Sequence, residues 1–259
     1  MEGSSSKDYM LQEFDHDVFL QLYCNPGKYP SLYEELVLFP LRHAMQNIHL
    51  VKSTGGTLYD LSFGPNILHL ILFCEYFSDI HILELNESCL KAVEKWLKKE
   101  ENAPDCAGGA QFLPDLGISS LNLSVKEDFL RGKVKSIKKY DLSCTEASVP
   151  QKADCLLCIY MLEHVSVDEE SLLRNLKAIG SNIKIGGILL ASGVFNYQLF
   201  TIGEKKVNTF PYDEILLRRC MKDAGFNIII LETLKSKIDS AIIQYDELWC
   251  AAAIREREV

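Results

Sequence analysis

The feature that most constrains the fold of this chain is the segment YDLSFGP at residues 59–65. An apolar strand leads into a tight turn at Gly64, and a second short apolar run, residues 80–83, ends in the acidic residue Glu84. This order of strand, glycine turn, helix and acid-terminated strand is typical of the first βαβ unit of a nucleotide-binding sheet. The glycine lets a ligand approach the backbone, and the carboxylate can accept hydrogen bonds from ribose hydroxyls.

The alternation of helices and strands continues along the whole chain and predicts one open, doubly wound α/β sheet with helices on both faces. The last two strands are expected to form an antiparallel pair, and the residues around Gly203 a hairpin. We expect a single domain, 1–259, with an N-terminal helical cap (1–50), a cofactor-binding core (57–193) and an acceptor-side hairpin with the last strands (194–259). The predicted strands are 57–62, 80–84, 136–142, 154–161, 188–193, 227–234 and 248–254, and the predicted helices are 11–23, 31–47, 65–77, 87–99, 125–134, 168–179 and 212–224.

Charge and cysteine content limit the partners and the compartment. The net charge, 27 − 36 = −9, disfavours binding to nucleic acid or to an anionic membrane surface. Nine irregularly spaced cysteines and a polar N-terminus without a secretory signal favour a reduced, cytoplasmic protein. Cys155 and Cys158 lie three apart on a predicted strand, so they face opposite sides and are expected to be buried thiols rather than a ligand pair.

In such a sheet, the residues that end the strands meet in one crevice. Glu163 and His164 follow the fourth predicted strand; they offer a general base, although a partly exposed loop pair is the commoner arrangement for such residues. Asp141, at the end of the third, can accept an adenine amino group or simply belong to a turn. The G-x-G-x-x-G fingerprint of dinucleotide oxidoreductases is missing, which disfavours that class.

Two segments carry a resemblance to a known family. Residues 60–67, DLSFGPNI, resemble the DIGSGPTIY segment of the nicotinamide / indolethylamine / phenylethanolamine N-methyltransferase family, and residues 94–100, EKWLKKE, are similar to the helix after that family's ribose-binding acid. Further matching segments in register extend the resemblance over essentially the whole chain. It implies a class I methyltransferase fold, with a mostly parallel, seven-stranded Rossmann-like sheet and an antiparallel last strand. It also implies a monomer that uses S-adenosyl-L-methionine as its cofactor.

The resemblance also implies binding positions, several of which carry different side chains here. Glu84 replaces an aspartate, Ser62 a glycine and Gly193 the aspartate that holds an amide acceptor. The implied cofactor-binding residues are Phe19, Cys24, Ser62, Phe63, Gly64, Leu68, Glu84, Cys89, Asp141, Leu142 and Ile159. The expected acceptor-binding residues are Gly193, Tyr197 and Thr209, with Phe19, Tyr23 and Phe195 beside them.

These replacements leave two hypotheses. The first is a methyltransferase that acts on a small amine, a heteroaromatic nitrogen or a thiol, with no obligatory catalytic base because positioning supplies most of the rate. The second is a non-catalytic descendant that binds a metabolite or a partner. The second is motivated by the lost tyrosine hydroxyls at Phe19, Cys24 and Leu68, each typically worth ~0.5–1.5 kcal/mol. Phe63 either narrows the methionine slot or turns its ring into the core.

Overall fold

A seven-stranded sheet forms the centre of the protein, in the strand order β3 (Val134–Lys139), β2 (Phe77–Glu84), β1 (Gly56–Asp60), β4 (Ala153–Ile159), β5 (Ile183–Phe195), β10 (Glu247–Arg255) and β8 (Phe226–Lys235). The computed structural model describes residues 14–23, 25, 27–51, 55–105, 114, 116, 123–142, 151–197, 199–202, 205–238 and 243–259. Strands β3, β2, β1, β4 and β5 are parallel, and β10 runs antiparallel between β5 and β8. The predicted doubly wound, mostly parallel sheet with an antiparallel last strand is therefore confirmed.

The helices and strands follow one another in the predicted alternation. The strands are β1 Gly56–Asp60, β2 Phe77–Glu84, β3 Val134–Lys139, β4 Ala153–Ile159, β5 Ile183–Phe195, β6 Leu199–Ile202, β7 Lys205–Asn208, β8 Phe226–Lys235, β9 Ile243–Gln244 and β10 Glu247–Arg255. The α-helices are α1 His16–Tyr23, α2 Pro30–Tyr33, α3 Phe39–Asn47, α4 Leu68–Phe73, α5 Glu87–Leu97, α6 Leu123–Lys133, α7 Leu162–Val165, α8 Glu169–Ser181 and α9 Glu214–Asp223.

Side-chain caps fix where the longer helices begin. The Asn86 side chain accepts hydrogen bonds from the backbone N–H groups of Ser88 and Cys89 at the start of α5, directly after β2. Asp168 and Ser171 form a capping box at the start of α8. These caps satisfy backbone donors that the first helical turn leaves without partners. The Asn86 cap also fixes the point where the chain leaves Glu84.

Many of the predicted elements have different bounds in the structure, and two of these differences change the carboxyl edge of the sheet. The helix predicted from Pro65 begins at Leu68 and ends at Phe73, because the turn after β1 is longer and Asn66 Oδ1 accepts the hydrogen bond of Leu68 N at 2.9 Å. The third strand was predicted to reach Leu142 but ends at Lys139, so Asp141 lies two residues beyond it. Both corrections lengthen the loops at the carboxyl edge of the sheet.

Two apolar cores cover the two faces of the sheet. Cys158 belongs to the core that contains Phe19 and Trp249, and Cys155 belongs to the core that contains Leu68 and Phe73. Both thiols are buried, and burial raises their pKa. The prediction that they are buried on opposite faces is confirmed.

The N-terminal helices are attached to the C-terminal part of the chain by a buried carboxylate. Residues Glu34–Leu38 form a π-helical segment between α2 and α3, and Glu35 in it is buried. Glu35 accepts hydrogen bonds from Lys237 N at 3.0 Å and from the Tyr245 hydroxyl at 2.9 Å. These contacts hold the helices against the end of β8.

The expected hairpin around Gly203 is β6–β7. Strand β9 pairs with β6 and extends the hairpin to a small three-stranded sheet, which the sequence pattern did not predict. In the part of the chain that the structure describes, no helix combines the length and the apolar character needed to cross a membrane.

Candidate functional site

A buried cavity lies at the carboxyl edge of the parallel strands, between the sheet and the N-terminal helices. Its volume is about 90 Å³, several times the ~10–15 Å³ that one water molecule needs. The cavity is therefore large enough for a small organic group. Its walls carry the aromatic and aliphatic side chains of Phe19, Leu36, Val37, Pro40, Leu41, Phe63, Ile159, Tyr160, Val194, Tyr197, Phe200 and Ile243 and the polar side chains of Ser62, Asn66, His69, Glu163 and His164.

The turn after β1 forms one end of the cavity. Gly64 has φ = +79°, a conformation that favours glycine, and a Cβ there would lie 2.6 Å from Cε1 of Phe19. Phe19 therefore lies directly on the turn, and its ring meets Phe63 edge to face with centroids 5.0 Å apart. Ser62 Oγ is buried and has no hydrogen-bond partner among the residues that the structure describes. A buried hydroxyl without a protein partner points to a ligand that supplies one.

Phe63 lines the cavity, and its ring also packs in the apolar core. A ring that narrows the binding space and a ring turned into the core, the two alternatives expected from the sequence, are therefore compatible with one position. Phe63 stacks on His164 with ring centroids 4.1 Å apart, and it contacts Phe14 and Phe19 of the N-terminal segment. Burial lowers the pKa of His164 to about 3, so its imidazole is neutral at pH 7. A neutral ring pair next to the turn forms an apolar wall.

Glu163 supplies a buried carboxyl group to the same cavity. Its Oε1 accepts hydrogen bonds from Val194 N at 2.8 Å and from the Tyr212 hydroxyl at 2.7 Å. Its Oε2 is buried and has no hydrogen-bond partner within the described part of the chain. Burial raises the pKa of Glu163 to about 7. The expectation that Glu163 and His164 form a partly exposed loop pair is wrong: both lie in α7 and are 1% and 4% exposed.

Gly193 explains how the Glu163 carboxyl group fits. A Cβ at position 193 would overlap Glu163 Oε1 and would lie 2.7 Å from Cζ2 of Trp249. The absence of a side chain on β5 thus makes room for a carboxyl group that comes from α7. Gly193 itself does not line the cavity, but Glu163 supplies the carboxylate that position 193 lacks.

Glu84 ends β2 as predicted, and it is buried outside the cavity. Its Oε1 accepts the hydrogen bond of Asn86 N at 2.7 Å. Burial, with a smaller effect of the nearby Asp60 carboxylate, raises the pKa of Glu84 to about 8. Four residues further along the chain, Ser88 Oγ donates to the carbonyl of Phe14 at 3.3 Å. The N-terminal segment therefore contacts the start of α5, close in the chain to Glu84.

A second polar pair in the cavity wall was not found from the sequence. Asp60 Oδ2 and His69 Nε2 lie 2.9 Å apart, and both side chains are buried. Asp60 ends β1, and His69 is the second residue of α4 and lines the cavity. The sequence signal was present: His69 is the single polar residue in the helix LHLILF.

The structure brings some of the expected binding residues together and separates others. Phe19, Ser62, Phe63, Ile159 and Tyr197 line the cavity, next to Gly64. Leu68 is buried in the core on the other face of the sheet, and Cys89 and Leu142 are buried near Glu84 in the core that includes the cavity residues. Phe195 is buried against Trp249, and Thr209 donates its hydroxyl to the Tyr197 carbonyl at 2.6 Å. Asp141 is half-buried. Cys24 and the side chain of Tyr23 lie outside the described residues.

Comparison with known proteins matches the chain to one family over almost its whole length. The model of the NNMT/PNMT/TEMT family matches residues 3–256. Human nicotinamide N-methyltransferase is 28% identical over 254 residues, which cover 97% of this chain and 96% of the relative. Indolethylamine N-methyltransferase of Mus musculus is 28% identical over 97% of this chain and 94% of its own length, and phenylethanolamine N-methyltransferase of Macaca mulatta is 27% identical over 74% and 70%.

Solved structures confirm the fold. Magnesium protoporphyrin IX methyltransferase from Synechocystis PCC 6803, with bound SAM, superposes with a TM-score of 0.59 at 13% identity and covers 99% of this chain and 100% of its own. The glycopeptide N-methyltransferase MtfA superposes with a TM-score of 0.55 at 15% identity and covers 83% of this chain and 90% of its own. The class I methyltransferase fold expected from the sequence is thereby confirmed.

Proposed function

Because the chain belongs to the NNMT/PNMT/TEMT family, we propose that it methylates the nitrogen of a small amine or heteroaromatic compound in the cavity between the N-terminal helices and the sheet. It is a methyltransferase that uses S-adenosylmethionine. Its relatives are N-methyltransferases, and a structural neighbour contains bound SAM. These relatives favour the enzyme over a non-catalytic descendant and over a dinucleotide oxidoreductase. The observation that carries the choice of acceptor is Oε2 of Glu163, which has no partner among the described residues and faces a mainly apolar cavity.

The residues at the carboxyl edge fit the cofactor. Gly64 leaves the backbone of the turn open to close approach, and Ser62 Oγ and Asp60 Oδ1 are buried polar atoms without partners among the described residues. Glu84 would accept the ribose hydroxyls, and Ser62 with Gly64 would hold the methionine part. When bound, S-adenosylmethionine supplies an electrophilic methyl group on a sulfonium. Phe14 accepts a hydrogen bond from Ser88, four residues after Glu84, and Phe19 lies on the turn at Gly64, so this N-terminal segment would have to move to admit the cofactor.

The acceptor is held by the opposite walls of the cavity. Glu163 Oε2 can accept a hydrogen bond from an N–H group, because a carboxylate accepts and does not donate when ionised. The rings of Phe63, Tyr197 and Phe200 form an apolar surface that suits an aromatic acceptor. These walls orient the nitrogen and exclude water, which is the main requirement of a direct displacement. A thiol would place no donor of comparable strength on Glu163, so we rank nitrogen acceptors above thiols.

The cysteines and the family membership support a proposal for the compartment and the oligomeric state of the enzyme. The six cysteines that the structure describes are all buried, which suits a reducing compartment: Cys74, Cys89, Cys155, Cys158, Cys220 and Cys250. We therefore place the enzyme in the cytoplasm, as a monomer with a single domain over residues 1–259. The acidic net charge of −9 fits a small-molecule acceptor better than nucleic acid.

Calorimetric titration with S-adenosylhomocysteine, followed by an acceptor panel, tests the proposal. We expect micromolar binding of S-adenosylhomocysteine and methyl transfer to at least one compound among nicotinamide, indolethylamine and phenylethanolamine. Replacement Glu163→Gln, which keeps the size of the side chain, should raise KM for the acceptor without changing the affinity for S-adenosylhomocysteine. Absence of binding at millimolar S-adenosylhomocysteine by a folded protein would overturn the proposal.

A further inference from the structure

The pair of Asp60 and His69 has the arrangement of a proton acceptor with its positioning carboxylate. Asp60 Oδ2 lies 2.9 Å from His69 Nε2. When Asp60 is ionised, its carboxylate only accepts hydrogen bonds, so Nε2 of His69 then carries the hydrogen and donates it. The other ring nitrogen, Nδ1, is then the one with a lone pair. A carboxylate that holds a histidine in one tautomer also stabilises the imidazolium that forms when the ring takes a proton.

The pair of Asp60 and His69 reaches the cavity through His69, where it can act on the acceptor. His69 lines the same cavity as Glu163, and the cavity of about 90 Å³ admits only a small group. A compound that fills it therefore touches the walls that carry both residues. Glu163 Oε2, on a residue of the same cavity, is buried without a hydrogen-bond partner in the described part of the chain, so it can accept a hydrogen bond from such a compound.

Several titratable groups belong to the surroundings of His69. Asp60 contacts it directly, Tyr160, Glu163 and His164 line the same cavity, and the Glu84 carboxyl group on β2 interacts with that of Asp60. The N-terminal helices face the cavity with the apolar residues Leu36, Val37, Pro40 and Leu41. His164 is neutral at pH 7, because burial lowers its pKa to about 3, whereas His69 contacts the carboxyl group of Asp60 directly.

We infer that His69, held by Asp60, takes the proton from an acceptor that arrives as an ammonium ion, so that the substrate class is an alkyl amine rather than a pyridine. This inference rests on the proposed function of the cavity. In the step, one N–H bond of the ammonium breaks, its electron pair stays on the nitrogen, and the proton binds to Nδ1 of His69. The nitrogen becomes a neutral nucleophile and the imidazole becomes an imidazolium, so the total charge is conserved. The imidazolium gives its proton to water after the product leaves.

Physical chemistry explains why such an acceptor needs this help. An alkyl amine resembles the lysine side chain, whose pKa is ~10.4, so it is almost wholly protonated at pH 7 and has no lone pair to attack a methyl group. A pyridine nitrogen carries no proton at that pH and needs no base. Positioned general bases contribute about 10²–10⁴-fold to rates. The pair of Asp60 and His69 thus helps an alkyl amine acceptor, whereas a pyridine acceptor does not need it.

The test compares His69→Gln with the full-length wild type on phenylethanolamine and on nicotinamide from pH 6.5 to 9.5. Glutamine can still donate a hydrogen bond to Asp60 but takes up no proton. We expect a loss of about 10²-fold in kcat/KM for the amine at pH 7. The loss should shrink by about tenfold per pH unit, because solution then supplies the free amine. Asp60→Asn should show the same pH pattern, since Asp60 acts through His69.

Two controls separate this role from others. His81→Gln replaces a histidine of similar burial on β2, outside the cavity lining, and should leave the pH profile of kcat/KM as in the wild type. The affinity of His69→Gln for S-adenosylhomocysteine, measured by calorimetry, should stay within about threefold of the wild-type value, a difference well below 1.4 kcal/mol. Thermal unfolding of each variant establishes that it is folded.

Each result decides for or against the inference. A pH-independent loss in His69→Gln, a tenfold loss of S-adenosylhomocysteine affinity, or methylation by the wild type of nicotinamide but not of any alkyl amine would overturn it. The first would indicate a structural pair, the second a cofactor contact and the third an acceptor that needs no base. A wild type that binds S-adenosylhomocysteine but methylates no compound of the panel contradicts the proposed function and this inference together, whereas the other outcomes leave the proposed function intact.

Discussion

Gly193 and Glu163 share one space: any side chain at position 193 would overlap the carboxyl group that reaches β5 from α7. The backbone N–H of Val194, next to Gly193, donates to the same carboxyl group at 2.8 Å. The Glu163 carboxyl group can therefore keep its present position only while residue 193 has no side chain. The choice of glycine on β5 determines which element presents the acid to the cavity.

The first prediction concerns this exclusion. Gly193→Ala should lower the free energy of unfolding by about 1–3 kcal/mol, because Glu163 and Trp249 have to shift. Gly132→Ala is the matched control: a Cβ on Gly132 in α6 meets no atom within 4 Å, and alanine favours a helix over glycine by about 1 kcal/mol. Denaturant unfolding of both variants measures the difference. Equal effects of the two substitutions would contradict the overlap.

A carboxylate exchange tests the same relationship in the other direction. Gly193→Asp alone should be strongly destabilising, because it places a second acid against Glu163. Glu163→Gly combined with Gly193→Asp should recover part of that loss, since residues in contact give non-additive effects of about 0.5–3 kcal/mol. The recovery is read from the same unfolding curves. Strict additivity of the two substitutions would show that the side chains do not compete.

The raised pKa of Glu163 predicts a pH-dependent stability. Its pKa rises from the ordinary glutamate value of 4.5 to about 7 in the folded protein, because burial penalises the charged form. The contribution of such a group is fully present below the unfolded pKa and is lost as the pH rises through the folded pKa. Glu163→Gln should therefore gain stability relative to the wild type between about pH 5 and pH 8.5, by no more than about 3 kcal/mol. Urea unfolding of both proteins at pH 5 and pH 8.5 measures this gain. A difference in free energy of unfolding that is the same at both pH values would refute the prediction.

Glu84 predicts a pH-dependent affinity for the cofactor. Burial raises its pKa to about 8, so the unliganded acid is largely protonated at pH 7. Ribose hydroxyls donate hydrogen bonds and favour the ionised form, so binding should release a proton. The Kd for S-adenosylhomocysteine should fall as the pH rises from 6.5 to 8 and level off above. Calorimetry in two buffers measures both the Kd and the proton release.

Variants of Glu84 provide the controls for that measurement. Glu84→Gln should show a weaker Kd without the pH dependence, and Glu84→Ala should abolish binding. Cys155→Ser, buried in the core that contains Leu68 and Phe73, should leave binding nearly intact. A similar loss in Glu84→Ala and Cys155→Ser would indicate unfolding rather than loss of a ligand contact.

The contact between Gly64 and Phe19 predicts that Gly64 and Gly186, which share one backbone conformation, respond differently to substitution by alanine. Gly64 and Gly186 have φ values of +79° and +80°, but of these two only the Cβ of Gly64 would meet another side chain, Phe19 at 2.6 Å. Both alanine variants carry the backbone strain of about 1–2 kcal/mol. Gly64→Ala should lose more stability and should also weaken S-adenosylhomocysteine binding, whereas Gly186→Ala should not weaken binding. Equal affinities of the two variants for S-adenosylhomocysteine would show that the turn at Gly64 does not contact the cofactor.

The fold could be predicted from the sequence because its signals are local. The Asn86 cap, the apolar run before Glu84 and the two thiols of Cys155 and Cys158 are each visible within a few residues. Element bounds were less accurate where the turn chemistry decides them: Asn66 caps Leu68 and delays the helix that Pro65 was expected to start.

The site could be predicted only in part, because burial depends on residues far apart in the chain. Nothing near Glu163 in the sequence shows that Gly193 leaves space for it or that Tyr212 donates to it. The pair of Asp60 and His69 is different. The segment between them crosses a strand end, a turn and a helix start, and the one polar residue in an apolar helix was the signal that could have revealed it.

The last strand of the sheet, β10, has a consequence for how the protein is made. It lies between β5 and β8, so β8 has no place beside β5 until β10 exists. A chain that is still growing on the ribosome therefore exposes the edge of β5 and leaves β8 without its neighbour, even after most residues have emerged. The edge of β5 that carries Gly193 and Val194 therefore stays unpaired until β10 has been synthesised. Stalled or truncated chains of this protein should accordingly be targets for chaperones and proteases.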